Sequence, residues 1–238
     1  MQDLRLFDVA RTAMMKPLSF SAQTRAAYER WAPLYPPVAH NSLMRAEEHA
    51  MCALWPEVAG RSVLDLACGT GRYARLLVDS GAAHVVAMDF CPPMLAQVTG
   101  VPRVCASMMQ LPFTADAFDV VVSGLALGHA TSLSGWMAEI ARVLKTGGTV
   151  LYSDFHPEAA RAGLPRSFKD RNGRAFAVPH HRYEVAAQRE AAAAAGLTID
   201  TVRELRLGLE LDTPAANPAD FDRCWHGLAV VLIVRARK

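Results

Sequence analysis

From residue 61 onward, short apolar runs alternate with segments whose apolar positions recur every three or four residues. Ser62 to Leu66 (SVLDL), His84 to Met88 (HVVAM), Arg103 to Ala106, Phe118 to Ser123 (FDVVVS) and Thr149 to Phe155 (TVLYSDF) read as buried strands. Between them, Arg72 to Asp79 reads as a helix with Tyr73, Leu76 and Leu77 inward and Gly81 at its C-terminal cap. Pro92-Pro93 open a short helix, because proline suits a first helical turn. Ser132 to Leu144 carries Trp136, Ile140, Val143 and Leu144 at helical spacing, with Ser132 or Ser134 as N-cap and Gly147-Gly148 as its end. Short apolar strands separated by helices predict an α/β fold, a doubly wound parallel sheet with helices on both faces.

After Phe155 the rhythm changes. Residues 156–183 are rich in Arg, His, Pro and Gly, and SFKDRNGRAFAV predicts a hairpin around Asn172-Gly173. Glu184 to Ala195 predicts a helix stopped by Gly196, and Leu197 to Leu207 and Leu228 to Ala236 predict a sixth and a seventh strand. Ahead of the sheet, Tyr28 to Arg45 reads as helical segments broken by prolines. The expected organisation is one domain over 1–238, with a helical segment at 1–59, a ligand-binding core at 60–155, and insertions at 156–183 and 209–227.

A chain of 238 residues that is 52% apolar and 20% charged can bury a core without disulfides. Its 25 basic and 23 acidic residues leave a formal charge of +2, which gives no global attraction to nucleic acid or anionic lipid. The five cysteines form no CxxC pair, so no zinc site is expected, and their odd number suits a reducing cytoplasm. Asp3 and Asp8 interrupt the first residues, against a signal peptide. Apolar runs such as Ala229 to Val234 fall far short of the ~20 residues of a membrane helix. The expectation is a cytoplasmic protein with small-molecule partners, no metal, no nucleic acid and no membrane. Nothing in the pattern specifies an oligomeric state.

The most informative stretch is Val63 to Leu77, VLDLACGTGRYARLL, where a strand runs through a turn of small residues into a helix. Such a turn lets the backbone approach a ligand, and the helix start offers free N–H groups. Asp65 stands at the strand end, where a carboxylate can accept from an ammonium group. Asp89 ends the second strand, where an acidic side chain binds ribose hydroxyls in dinucleotide folds. A pyrophosphate would be repelled by Asp65, whereas an amino acid joined to a nucleoside suits both carboxylates. The pair favours S-adenosylmethionine over NAD.

In these elements the chain resembles the class I S-adenosylmethionine-dependent methyltransferases. The matching runs are LDLACGTG (64–71), VVAMDFCPPMLAQ (85–97), ASMMQLPF (106–113), FDVVVSGLALGH (118–129) and IARVLKTGGTVLYSDF (140–155). The resemblance implies a Rossmann-like sheet of seven strands, mostly parallel, with the last strand antiparallel. It implies that Asp65, Ala67, Gly69 and Gly71 cradle the methionine part and that Asp89 holds the ribose. Phe90 and Met94 would pack around ribose or adenine, and Gly124 and Leu125 would face the sulfonium. Ser107 and Met108 take the adenine-edge positions, where Ser107 departs from the family's usual Asp. Ala67 replaces the usual first glycine. Related enzymes close a tyrosine-bearing N-terminal segment over the cofactor, which makes Tyr28 and Tyr35 candidate lid residues and Arg45 a candidate partner of the methionine carboxylate. AYERWA and DFCPPMLAQ are most similar to the carboxyl O-methyltransferases that esterify malonyl-carrier protein.

Transfer of a methyl group from S-adenosylmethionine, leaving S-adenosylhomocysteine, requires an aligned acceptor, exclusion of water and, for many acceptors, a base. Histidine suits the task because its pKa lies near neutrality. His129 follows the fourth strand, Asp154 and His156 end the fifth, and His180, His181 and Tyr183 sit in the insertion expected to fold over the same sheet edge. Methylation of nucleic-acid bases is disfavoured, because Ser123-Gly124-Leu125-Ala126 stands where such enzymes carry an Asn/Asp-Pro-Pro-aromatic run. A small-molecule acceptor is the expectation. The alternatives are a catalytically silent S-adenosylmethionine-binding module and an NAD-dependent dehydrogenase, the latter opposed by Asp65 and by the lack of a Tyr-x-x-x-Lys pair.

Overall fold

The structure is a computed structural model that describes residues 19–211 and 225–238. The expectations for the first residues, for Cys224 and for most of the 209–227 insertion lie outside the described residues.

The described residues begin with helices. Helix α1 (Phe20–Trp31) starts where the Ser19 hydroxyl accepts from the Ala22 N–H, and α2 (Ser42–Ala53) starts where Asn41 does the same for Met44 at 2.8 Å. A 3-10 turn (Ala32–Leu34) and the Pro36-Pro37 pair separate them. The sheet region then runs β1 (Ser62–Leu66), α3 (Arg72–Asp79), β2 (His84–Asp89), α4 (Pro92–Leu95), β3 (Arg103–Cys105), β4 (Phe118–Ser123), α5 (Leu133–Val143) and β5 (Leu144–Phe155). It continues with α6 (Pro157–Arg161), β6 (Ser167–Lys169), β7 (Ala175–Ala177), α7 (Val185–Ala194), β8 (Thr198–Arg206) and β9 (Ala229–Arg237).

Seven strands form one sheet in the order β3-β2-β1-β4-β5-β9-β8. β9 alone is antiparallel, and it lies between β5 and β8. Alternate strand residues enter two apolar layers. Val63, Val120, Val122 and Ile233 pack on one face with Met51, Tyr73 and Leu77. Leu64, Val121, Leu232 and Val234 pack on the other with Trp136, Ile140 and Tyr152. Strands buried on both faces read as continuous apolar runs, which is why the sequence pattern located them. Each large side chain so buried contributes ~1.5–3 kcal/mol. Strand order reverses between β1 and β4, and ligands of open α/β sheets bind in the crevice outside the strand ends at such a point.

Two boundaries differ from the pattern. The fifth helix stops at Val143 rather than at Gly147-Gly148, and β5 begins at once. Its pairing with β4 jumps from Phe118–Leu144 to Val120–Thr149, so the glycines form a bulge. A Cβ on Gly148 would stand 2.8 Å from the Lys145 carbonyl, so the bulge requires glycine there. The predicted hairpin is β6–β7, a separate two-stranded sheet in which Asp170 accepts from the amides of Asn172 and Arg174. Trp31 stacks on Phe168 of this hairpin at 4.8 Å, joining α1 to the 156–183 segment over the β1/β4 crevice.

Candidate functional site

At the end of β1 the chain turns through Ala67 (φ 57°) and Gly69 (φ 56°) into α3. Asp65 is buried just before the turn, and its Oδ2 accepts from the Ala74 N–H at 2.7 Å. Its Oδ1 is buried without a hydrogen-bond partner. Burial pushes this carboxyl up to about 7, against the Ala74 N–H and the Arg72 charge. At the end of β2, Asp89 accepts from the Gly69 N–H and the Cys91 N–H, both at 2.8 Å. Burial pushes Asp89 up against these two bonds. With the Phe90 N–H also acting on it, the Asp89 carboxylate still has acceptor capacity for a hydroxyl donor.

Both carboxylates line a cavity of about 930 Å³. Ala67, Gly69, Phe90, Met94, Ser107, Met108, Gly124 and Leu125 line it from the sheet region, and Tyr28 and Tyr35 from the N-terminal helices. A Cβ built on Gly69 meets nothing within 4 Å, so a side chain there would fill cavity space. Gly71 does not line the cavity: its Cβ position lies 3.1 Å from both Val98 methyl groups, and its glycine serves packing and a positive φ. Arg45 lies outside the cavity too. Cys68 lines the turn, where burial pushes its thiol up, the opposite of an activated thiolate.

Glu47 was not expected. It is fully buried on α2 and accepts from Arg72 Nη2 (2.7 Å), the Tyr73 hydroxyl (2.7 Å) and the Ser153 hydroxyl. Ser153 Oγ in turn accepts from the N–H of Leu125, which holds φ 53° at the cavity wall. Helix α2 is thereby tied to α3, to β5 and to the loop after β4, and its Met44, Ala50 and Met51 belong to the sheet's own core. The N-terminal segment overlies the cavity through α1 and Tyr35, while α2 is built into the fold.

Beyond the turn, three polar side chains of the cavity lining are hydrogen-bonded to one another. The Tyr28 hydroxyl stands 2.9 Å from His129 Nε2 and 3.1 Å from Arg166 Nη2. Arg166 Nη2 also donates to the Leu125 carbonyl, and Nη1 lies 3.4 Å from Asp154 Oδ1. Arg166 is 8% exposed, so this is a guanidinium held inside the protein. Burial, then the Arg166 charge, holds His129 well below the ordinary histidine range. Burial pushes Asp154 up to about 6, with Arg166 opposing.

The 156–183 segment does wall the cavity, through Leu164, Arg166 and Phe168. His156, His180 and His181, expected as candidate bases, are not among the residues that line it. His156 caps α6 by accepting from the Glu158 N–H, and its Nε2 lies 3.4 Å from Glu204. The His180 ring faces Phe155 and His181 packs on Phe20, while the His181 N–H donates to the Gly128 carbonyl. The two support the loop bearing His129 from behind, since a Cβ on Gly128 would meet the His181 carbonyl at 3.0 Å. Of the four expected histidines, His129 is the one at the cavity wall. Among the described residues no cluster of three or more His, Cys, Asp or Glu could hold a metal, and no helix is long and apolar enough to cross a membrane.

A glycine turn between two acid-ended strands, opening on a large cavity at the β1/β4 switch point, is the ligand-site arrangement of open α/β sheets. Residues 64–152 match the family model described as a methyltransferase domain. An S-adenosylmethionine-dependent methyltransferase from Mesorhizobium loti superposes with a TM-score of 0.63 at 26% identity, covering 81% of this chain and 98% of that one. A malonyl-[acyl-carrier protein] O-methyltransferase of Enterobacter lignolyticus is 35% identical over 58% of this chain and 57% of its own length. A demethylmenaquinone methyltransferase of Corynebacterium urealyticum is 39% identical over 40% of this chain and 42% of its own. The chain spans about half the length of the curated relatives it matches. Over residues 64–152 the chain is thus similar to methyltransferase domains, and its fold is that of the S-adenosylmethionine-dependent methyltransferase from Mesorhizobium loti.

Proposed function

We propose that the cavity binds S-adenosylmethionine and that the protein transfers its methyl group to a small-molecule acceptor. The observation that carries this reading is the buried, unpartnered Oδ1 of Asp65, facing the same cavity as Asp89 across the open cradle at Gly69. A buried polar atom without a partner costs about 1–3 kcal/mol, and a ligand donor removes that cost. In this reading the ammonium of the methionine part meets Asp65, and Ala67 and Gly69 allow backbone approach. The ribose hydroxyls donate to Asp89, and Phe90, Met94, Ser107 and Met108 surround the base. Tyr28 and Tyr35 cover the ligand from the N-terminal side. Gly124 and Leu125 border the place from which the methyl leaves.

S-adenosylmethionine supplies an already activated methyl carbon. The chain's own work is therefore alignment, exclusion of water and care of the acceptor's proton. Leu125, held by Ser153 and Arg166, fixes the wall beside that place. The names of the relatives include acceptors as different as a carrier-bound acid and a quinol precursor, so the acceptor has to be found directly. Methyl-labelled S-adenosylmethionine incubated with the protein and a metabolite extract should yield a labelled small molecule, and Asp65→Asn with Asp89→Ala should abolish the label. Label that appears equally with the double variant contradicts this reading.

A further inference from the structure

Three side chains from separate parts of the chain meet in the cavity lining. Tyr28 comes from α1, His129 from a 3-10 turn after β4, and Arg166 from the lead into β6. The directions of their hydrogen bonds follow from chemistry. His129 Nδ1 lies 3.1 Å from the Pro179 carbonyl, which can only accept, so Nδ1 carries the ring proton. The ring is neutral, being buried beside the Arg166 charge, so Nε2 is a bare acceptor. A guanidinium can only donate, so the Tyr28 oxygen accepts from Arg166 at 3.1 Å. The one Tyr28 proton is thus directed at His129 Nε2, 2.9 Å away. Donation runs in one sense, from Arg166 to Tyr28 to His129 to the Pro179 carbonyl.

This chain of bonds is placed to receive a proton. Tyr28, His129 and Arg166 all line the cavity, and its lining also includes the apolar side chains of Phe155, Leu164, Phe168 and Leu211. We propose, resting on the methyl-transfer reading, that Tyr28 and His129 form a proton relay, and that the acceptor is a hydroxyl compound, alcohol or phenol, with an apolar body. The acceptor oxygen forms its bond to the methyl carbon while the carbon–sulfur bond breaks and leaves its electron pair on sulfur. The acceptor's proton passes to the Tyr28 oxygen as the Tyr28 proton passes to His129 Nε2. One positive charge disappears from sulfur and one appears on the imidazole, so the total is unchanged. A weak base suffices, because a hydroxyl becomes strongly acidic as its oxygen is alkylated. Asp154 lies beyond Arg166 and offsets the added charge.

Two measurements on the full chain test the relay. Long-range ¹H–¹⁵N spectra of the His129 ring, assigned by their loss in His129→Gln, should show the Nδ1–H form, with an Nε2 resonance that moves downfield in Tyr28→Phe. The Nε2–H form, or an Nε2 resonance indifferent to Tyr28→Phe, overturns the relay whatever the turnover. In the labelled-methyl assay, Tyr28→Phe and His129→Gln should each lower incorporation by about 10²–10⁴-fold at saturating S-adenosylmethionine, with S-adenosylhomocysteine affinity within about threefold in His129→Gln. The double variant should be no slower than the worse single one, because the two act as a unit. Losses that multiply overturn the relay. If the wild type binds S-adenosylhomocysteine but labels nothing, the methyl-transfer reading fails, and the ring spectra still decide whether the hydrogen bonds run as proposed.

Discussion

The amide of Gly69 donates to Oδ2 of Asp89 at 2.8 Å, joining the turn after β1 to the end of β2 across 20 residues of sequence. The acid proposed to hold the ribose is therefore also the group that shapes the turn proposed to hold the methionine part. Loss of the Asp89 carboxylate should disturb both halves of the ligand site, while the strands beneath keep their pairing.

The two glycines of the turn separate packing from binding. Both have positive φ, so alanine at either costs about 1–2 kcal/mol in backbone strain. A methyl group at Gly69 enters the cavity, whereas one at Gly71 meets Val98. Gly69→Ala should weaken S-adenosylhomocysteine binding by tenfold or more, roughly 1.4 kcal/mol. Gly71→Ala should lower the melting temperature as much or more while leaving affinity within about threefold. Calorimetry and thermal melts on the two variants check the contrast.

Asp65 sets the pH dependence. Its folded-state pKa of about 7 lies above the ordinary 3.8, so the ligand-free protein binds the extra proton when folded. That contribution to stability is fully present below about pH 4 and is lost as pH rises to about 7. A cationic ligand group favours the ionised form, so binding of S-adenosylhomocysteine should release a proton near pH 6.5 and tighten between pH 6 and 8. Asp65→Asn should show neither the release nor the slope. Titrations in buffers of different ionisation enthalpy measure both.

Glu47 carries the junction between α2 and the sheet. Glu47→Ala leaves the buried Arg72 with Glu48 as its remaining ion-pair partner, at 3.1 Å. Breaking a buried pair by removing one partner costs about 3–5 kcal/mol. Urea unfolding should show a loss of that size, and the freed Leu125 loop should raise the KM of the labelled-methyl assay. A loss under about 1 kcal/mol would place the pair among weakly contributing surface bridges.

The doubly wound half of the fold was legible because its strands are buried on both faces and its helices are amphipathic. The bounds read for β1, α3 and β4 are those observed. The start of β5 was not, since a bulge is defined by the strand it pairs with and local periodicity does not contain that partner. Asp65, Asp89 and Gly69 could be placed on the cavity because strand ends and a turn mark their positions in the sequence. Arg166 was not: within a stretch rich in Arg, Pro and Gly it looks like a solvated charge. Only packing against Asp154, Tyr28 and Leu125 makes it an interior residue. Glu47 was hidden for the same reason. An acid on an amphipathic helix reads as its wet face, and the partners that bury it lie 25, 26 and 106 residues away. The sequence does not show that the His181 N–H donates to Gly128 and its ring packs on Phe20, or that the His180 ring packs near Phe155.

Calorimetric titration of the wild-type protein with S-adenosylhomocysteine and, separately, with NAD tests the central claim most directly. One-to-one binding of S-adenosylhomocysteine in the micromolar range is expected, with no heat from NAD. In Asp89→Ala the affinity should fall by about 10- to 150-fold, the equivalent of roughly 1.5–3 kcal/mol of charge-assisted hydrogen bonding. Tight binding of NAD in place of S-adenosylhomocysteine, or equal S-adenosylhomocysteine affinity in wild type and Asp89→Ala, would contradict the account.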